Sequence, residues 1–109
     1  MGDSKEKRKV KGIWIPIGIW SNRELSITER VILAEINNFE NAKGCFISNN
    51  SLGRFVGLSG SRISQIISRL KDLEYVSIEL FYKEGSKEVE RRLIRINKEK
   101  YYKEIDSEE

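Results

Sequence analysis

Ser61, Arg62, Ser64, Gln65, Ser68 and Arg69 stand within one short stretch, GSRISQIISRL. On a helix they fall away from an apolar stripe formed by Ile63, Ile66, Ile67, Leu70 and Leu73; Arg62 lies at the edge of that exposed face. The chemistry such a face can do is hydrogen bonding. A serine hydroxyl is short enough for close approach and both donates and accepts. A glutamine amide can bridge adenine N6 and N7, and an arginine fork can bridge guanine O6 and N7 or a phosphate. No Asp or Glu interrupts the chain from Asn41 to Lys71, whereas Lys43, Arg54, Arg62, Arg69 and Lys71 are basic. The first acid, Asp72, shares the face but comes at its end. A carboxylate earlier on it would repel phosphate.

Something must hold that helix in place. Ser59 is a cap residue at its start, and Gly57 suits a left-handed position closing a preceding helix. That preceding helix is predicted over Asn49 to Val56, capped by Ser48 and apolar at Leu52, Phe55 and Val56. Further back, Ser26-Ile27-Thr28-Glu29 fits a capping box. It opens a first helix whose apolar face uses Ile27, Val31 and Ala34 with Ile32, Leu33 and Ile36, and which the stretch NNFENAKG ends. Cys45 to Ile47 suits only a brief strand. After Tyr75 the period changes to two: Val76, Ile78, Leu80 and Tyr82 alternate with Ser77, Glu79, Phe81 and Lys83. A turn with Gly85 and Ser86 at its tip leads to a second strand from Val89 to Ile96.

These elements predict an α+β fold, a winged helix-turn-helix of three helices, a short strand and a two-stranded wing hairpin. In the segment IWIPIGIW, Ile13 to Trp20, Pro16 and Gly18 argue against a helix and for an extended stretch, with Trp14 and Trp20 as core or dimer-interface anchors. The expected organisation is a basic, mobile arm over residues 1–12, the folded domain over 13–97, and a charged tail or short helix over 98–109. In a helix-turn-helix the second helix of the motif enters the major groove while the first crosses the backbone. The candidate contacts are therefore Ser59, Ser61, Arg62, Ser64, Gln65, Ser68 and Arg69 on the third predicted helix, and Asn49, Asn50 and Arg54 on the second. On the wing they are Lys83, Lys87 and Arg91, diluted by Glu84 and Glu88.

Composition narrows the alternatives. The chain has 109 residues, no histidine and a single cysteine. Ser-His-Asp and Cys-His catalysis are thereby excluded, as are zinc sites built on histidine or on several cysteines. Neither a GxxxxGK[ST] nor a GxGxxG pattern occurs, so no nucleotide-phosphate cradle is expected. The expectation is a protein that is not an enzyme and needs no cofactor. No apolar run is long enough for a membrane span, and residues 1–12 lack a signal-peptide core, which points to the cytoplasm. Net charge is only +3, but the positive charge is concentrated in the middle of the chain and the hairpin, as nucleic-acid binding requires.

The pieces LSITER, GCFISNNSL, VGLS and VERRLIRI carry a resemblance over residues 13–97. They resemble the N-terminal winged-helix domains of replication-initiation and replisome-organiser proteins of phages and plasmids, chiefly of Gram-positive bacteria. The resemblance implies double-stranded DNA binding through the third helix, often as a homodimer on repeated or inverted sites. It carries a DNA-contacting role onto Ser61, Arg62, Gln65 and Arg69. Similar proteins often have Gly where this chain has Glu74, and usually continue into a further domain that recruits the replication machinery. Here the chain stops after YYKEIDSEE, as expected of an isolated DNA-binding domain or a stand-alone regulator. Replication initiation or transcriptional control of a mobile element is the first expectation. Alternatives are a plasmid partition protein that binds a centromere, with a replication or partition protein as further partner, or a winged helix used for protein contacts.

Overall fold

The computed structural model describes residues 13–40 and 45–100. The arm expected over 1–12 lies outside the described residues, as does the tail from 101 onward. Among the described residues the order is α1 (Ile17–Trp20), α2 (Ile27–Phe39), α3 (Asn49–Val56), α4 (Gly60–Asp72), β1 (Val76–Tyr82) and β2 (Val89–Ile96). Residues 98–100 are again helical. The two strands form an antiparallel hairpin, in register from Val76 opposite Ile96 to Tyr82 opposite Val89, with an irregularity between Phe81 and Tyr82.

The turn α1 corrects the extended segment expected around Pro16. Proline forbids a helix only downstream of its first turn, and Pro16 stands just before that turn with φ −59° and ψ 146°. It has no amide to satisfy there, and its carbonyl accepts from the amides of Ile19 and Trp20, both at 2.9 Å. Ile19 is buried, while Trp14 and Trp20 are 68% and 44% exposed. The tryptophans are thus not core anchors.

α2 begins with the expected box. Ser26 Oγ accepts from the Glu29 amide at 3.1 Å, and Glu29 Oε1 accepts from the Ser26 amide at 2.8 Å. Such a cap is worth about 1 kcal/mol. Ile27, expected on the apolar face, is 62% exposed instead. The face that turns inward runs through Glu29, Ile32, Leu33 and Ile36, at intervals of three, one and three. Glu29 can be buried on it because its other oxygen, Oε2, receives Arg69 Nε at 2.8 Å. Glu35 on α2 is fully enclosed too.

Cys45 makes one antiparallel bridge with Ile94 rather than a strand, through amide-to-carbonyl bonds of 2.9 and 2.8 Å. Residues 46–48 then leave the sheet for Ser48, whose side chain caps α3 by accepting from the Ser51 amide. The thiol of Cys45 is buried, and that burial raises its pKa above the ordinary value.

α3 and α4 form the helix-turn-helix. Gly57 closes α3 with φ 76°, and the Gly57 and Leu58 amides both donate to the Gly53 carbonyl, at 2.7 and 3.0 Å. Ser59 caps α4 by accepting from the Arg62 amide at 3.1 Å. Ile63, Ile66, Ile67 and Leu70 of α4 are buried against Ile32, Ile36 and Leu52 in one core, with Val76, Ile94 and Ile96 from the hairpin. At α4's end Tyr75 N donates to Leu70 O and Glu74 N to Lys71 O, each at 2.9 Å. This is the Schellman pattern, and Glu74 occupies its left-handed position with φ 69°. The exit is thus the one glycine would give, made at the strain of a side chain. Glu74→Gly is expected to stabilise the fold by up to about 1 kcal/mol, read as a raised midpoint in denaturant with unchanged m-value.

Two further ties hold α4 and the start of the wing. Arg69 Nη2 donates to the Glu24 carbonyl at 3.1 Å. Buried Asn22 donates to the Tyr75 hydroxyl at 2.7 Å, and that hydroxyl donates to the Glu24 carboxylate. The turn between α1 and α2 is therefore pinned both to α4 and to the start of the wing.

Candidate nucleic-acid interface

The core stripe of α4 fixes what its other side presents. Ser61, Arg62, Ser64, Gln65, Ser68 and Arg69 are all exposed, as the sequence predicts. Arg62 and Gln65, one turn apart, lie with Nη1 and Oε1 3.5 Å from each other, so the two head groups serve one spot. Ser59 is exposed, but its hydroxyl oxygen is engaged in capping. Arg69 differs from Arg62. Its guanidinium is held by Glu29 and the Glu24 carbonyl, and its first task is to fasten α4 to α2.

The candidates on α3 divide likewise. Asn50 lies over the start of α4, with Oδ1 2.5 Å from where a Cβ on Gly60 would stand. Arg54 is exposed and donates to Ser51 Oγ at 3.1 Å. Asn49 Oδ1 accepts from Arg92 Nη1 at 2.6 Å, so that oxygen is committed within the chain.

On the wing, Lys83 Nζ pairs with Glu88 at 3.1 Å across the turn. Both partners are exposed, where such a pair contributes little. Lys87 is exposed beside it. Arg91 is not at the tip: its guanidinium lies over the rings of Phe46 and Phe81, at 4.7 and 5.6 Å. The structure thus brings the α4 residues onto one face and scatters the wing candidates between the turn and one side of the sheet.

Arg92 escaped the sequence reading. Besides Asn49 it donates from Nη2 to the Ile47 carbonyl at 2.9 Å. Its partial burial lowers its pKa from the ordinary arginine value, and the guanidinium stays protonated. The pairing of Leu80 with Arg92 puts Arg92 on the side of the hairpin that carries Val76 and Ile78. The alternation of β1 contained half of that signal; the register, which supplies the other half, is not written in either strand. Gly53 was also missed, and a Cβ there would lie 2.3 Å from the Leu58 carbonyl oxygen. Among the described residues no cluster of His, Cys, Asp or Glu is arranged to hold a metal ion, and no helix is long and apolar enough to cross a membrane.

No known family's sequence pattern matches the chain, and no curated protein matches it. Among solved structures it is similar to the PcaV transcriptional regulator from Streptomyces coelicolor, crystallised in complex with its natural ligand. The TM-score is 0.54 at 18% identity, over 80% of this chain and 57% of that one. The chain therefore spans little more than half the length of that regulator, and at this identity the likeness is one of fold. Helix order, tight turn, hairpin and structural likeness agree: the chain folds as a winged helix-turn-helix.

Proposed function

We propose that the chain is a sequence-specific double-stranded DNA-binding protein. α4 enters the major groove, α3 crosses the phosphate backbone beside it, and the wing reaches an adjacent phosphate or the minor groove. One observation carries this reading: the exposed side of α4 presents Ser61, Arg62, Ser64, Gln65 and Ser68 with no acid before Asp72. A helix needing only solubility has no use for that selection, whereas a groove lined by phosphates and base edges does.

The biological setting belongs to the same proposal. Replication initiation on a mobile element is supported by the resemblance of LSITER, GCFISNNSL and VERRLIRI, and transcriptional control by the fold shared with a transcriptional regulator. A homodimer fits both. Trp14, Ile17, Trp20 and Ile27 leave apolar surface exposed on α1, the segment before it and the first turn of α2. A second copy seated there by a two-fold axis would give the symmetry that an inverted site requires. Sedimentation showing a concentration-dependent dimer supports it, and monomer at every concentration removes it.

Fluorescence anisotropy on a labelled duplex across a salt series tests the DNA reading. Log affinity should fall linearly with log salt, by about 0.9 per phosphate neutralised. A flat response would instead favour a winged helix used for protein contacts. Lys87→Ala should weaken all duplexes alike and make the slope shallower by about 0.9, since Lys87 would supply one sequence-blind contact.

A further inference from the structure

The wing is tied to the helix-turn-helix at one charged residue. Inward of Arg92, the hairpin is held by packing, with Val76, Ile94 and Ile96 buried, and by the Cys45–Ile94 bridge. Opposite it Leu80 is 42% exposed, and outward of it Tyr82 and Val89 are 52% and 45% exposed, so the distal strands rest on little. At that boundary Arg92 reaches out of β2 with both terminal nitrogens. Nη1 donates to Oδ1 of Asn49, the first residue of α3, at 2.6 Å; Nη2 donates to the Ile47 carbonyl at 2.9 Å. Two acceptors engaged by one planar fork fix a direction as well as a distance. A single ammonium on a flexible stem could satisfy one of them and would leave the angle open.

We propose that Arg92 is a positioning residue: its clamp on Asn49 and Ile47 sets the angle of the wing against α3 and α4, and so decides which phosphate Lys87 can reach while α4 occupies the groove. The proposal rests on the DNA-binding reading above. The lever is long enough to matter. Val89, where β2 begins, is three residues along the chain from Arg92, about 10 Å of strand at roughly 3.3 Å per residue, and Lys87 lies beyond it in the turn. A pivot of about 10° at Arg92 would move the end of β2, and the turn it carries, by about 2 Å, enough to break a hydrogen bond. Arg91, the neighbouring arginine, points to the opposite side of the sheet and stacks on Phe46 and Phe81. The pair Arg91–Arg92 therefore divides between the two faces of the wing.

A mutant cycle read through the salt slope tests this. In the otherwise unaltered protein Lys87→Ala should flatten the slope by about 0.9. In an Arg92→Met background the slope should already be flattened by that amount, and Lys87→Ala should flatten it no further. Arg62→Ala should lower affinity by the same factor in both backgrounds, which a general loss of structure would not allow. Arg92→Lys separates position from charge: a lysine would preserve a direct phosphate contact, so the proposal expects it to behave as Met. Asn49→Ala removes one acceptor while leaving Arg92 in place, and should reduce the Lys87 effect even if Arg92→Met fails to fold. An undiminished Lys87 effect in the Arg92→Met or Asn49→Ala background, or full rescue by Arg92→Lys, would overturn the assignment and leave DNA binding standing. Absence of duplex binding by the unaltered protein would overturn the DNA-binding reading, and this one with it.

Discussion

Arg62→Ala is expected to weaken binding to the preferred duplex by about 1–3 kcal/mol, roughly five- to 150-fold, and to relax the choice of base at one position. Arg62 is the third residue of α4, and the N-terminal residues of the groove helix are those that meet base edges. Its amide already serves the helix by donating to Ser59, and its side chain lies exposed beside Gln65. Losing the guanidinium therefore disturbs, among the described residues, no hydrogen bond except the long one to Gln65. The expected signature is lost affinity with unchanged thermal stability, measured by anisotropy and by calorimetry on the same preparation. Arg69, two turns further along, would not give so clean a result because it braces Glu29 and Glu24.

Gly53→Ala is expected to be among the most destabilising single changes available, by about 1–3 kcal/mol or more. The methyl group would lie 2.3 Å from the Leu58 carbonyl oxygen and 3.3 Å from its carbonyl carbon. Both are backbone atoms, so no flexible side chain can move aside. The same peptide region carries the bonds from Gly57 and Leu58 to the Gly53 carbonyl, which shape the turn. Relief would require α3 and α4 to separate, and with them the burial of Leu52 against Ile63. A melting midpoint lowered by about 4–8 °C per kcal/mol would register the clash. A midpoint within a degree of the unaltered protein would mean that the helices do not approach so closely.

The parts of this fold that could be read in the sequence are those that short-range chemistry decides. Ser26, Ser48 and Ser59 each cap the helix that follows because the bonds involved span three residues. Gly57 was legible for the same reason, its left-handed φ being local. The stripe Ile63, Ile66, Ile67 and Leu70 was legible from its period, and with it the opposite face. What failed was either a rule applied too broadly or a contact distant in sequence. Pro16 argues against a helix by its type, although a proline just before the first turn leaves no bond unmade. Ile27 has the right type for the core, but it opens α2 and its side chain faces outward. Glu29 looked like a cap alone, since the partner that lets it be buried, Arg69, lies 40 residues on. Asn49 has the type and the place of a phosphate contact, and Arg92, which engages its oxygen, lies 43 residues away.

The departure at Glu74 shows the same division. Where the resemblance leads to an expectation of glycine, this chain places a glutamate at φ 69° and keeps both capping bonds, with the Asn97 side chain donating to its carbonyl at 2.9 Å. The backbone demand at that position comes from the turn into the wing, and the residue type has yielded to it. Glu74 therefore changes the stability of the exit from α4 and leaves its direction alone.

The most direct measurement is selection of bound duplexes from a random pool, run in parallel with the unaltered protein and with Arg62→Ala and Gln65→Ala. The account predicts a defined motif for the unaltered protein, as two inverted half-sites about one helical turn apart if the chain binds as a dimer. Each variant should lose preference at its own base position and keep the rest. A pool that emerges unenriched, or a motif that both variants reproduce in full, would contradict the claim that α4 reads DNA.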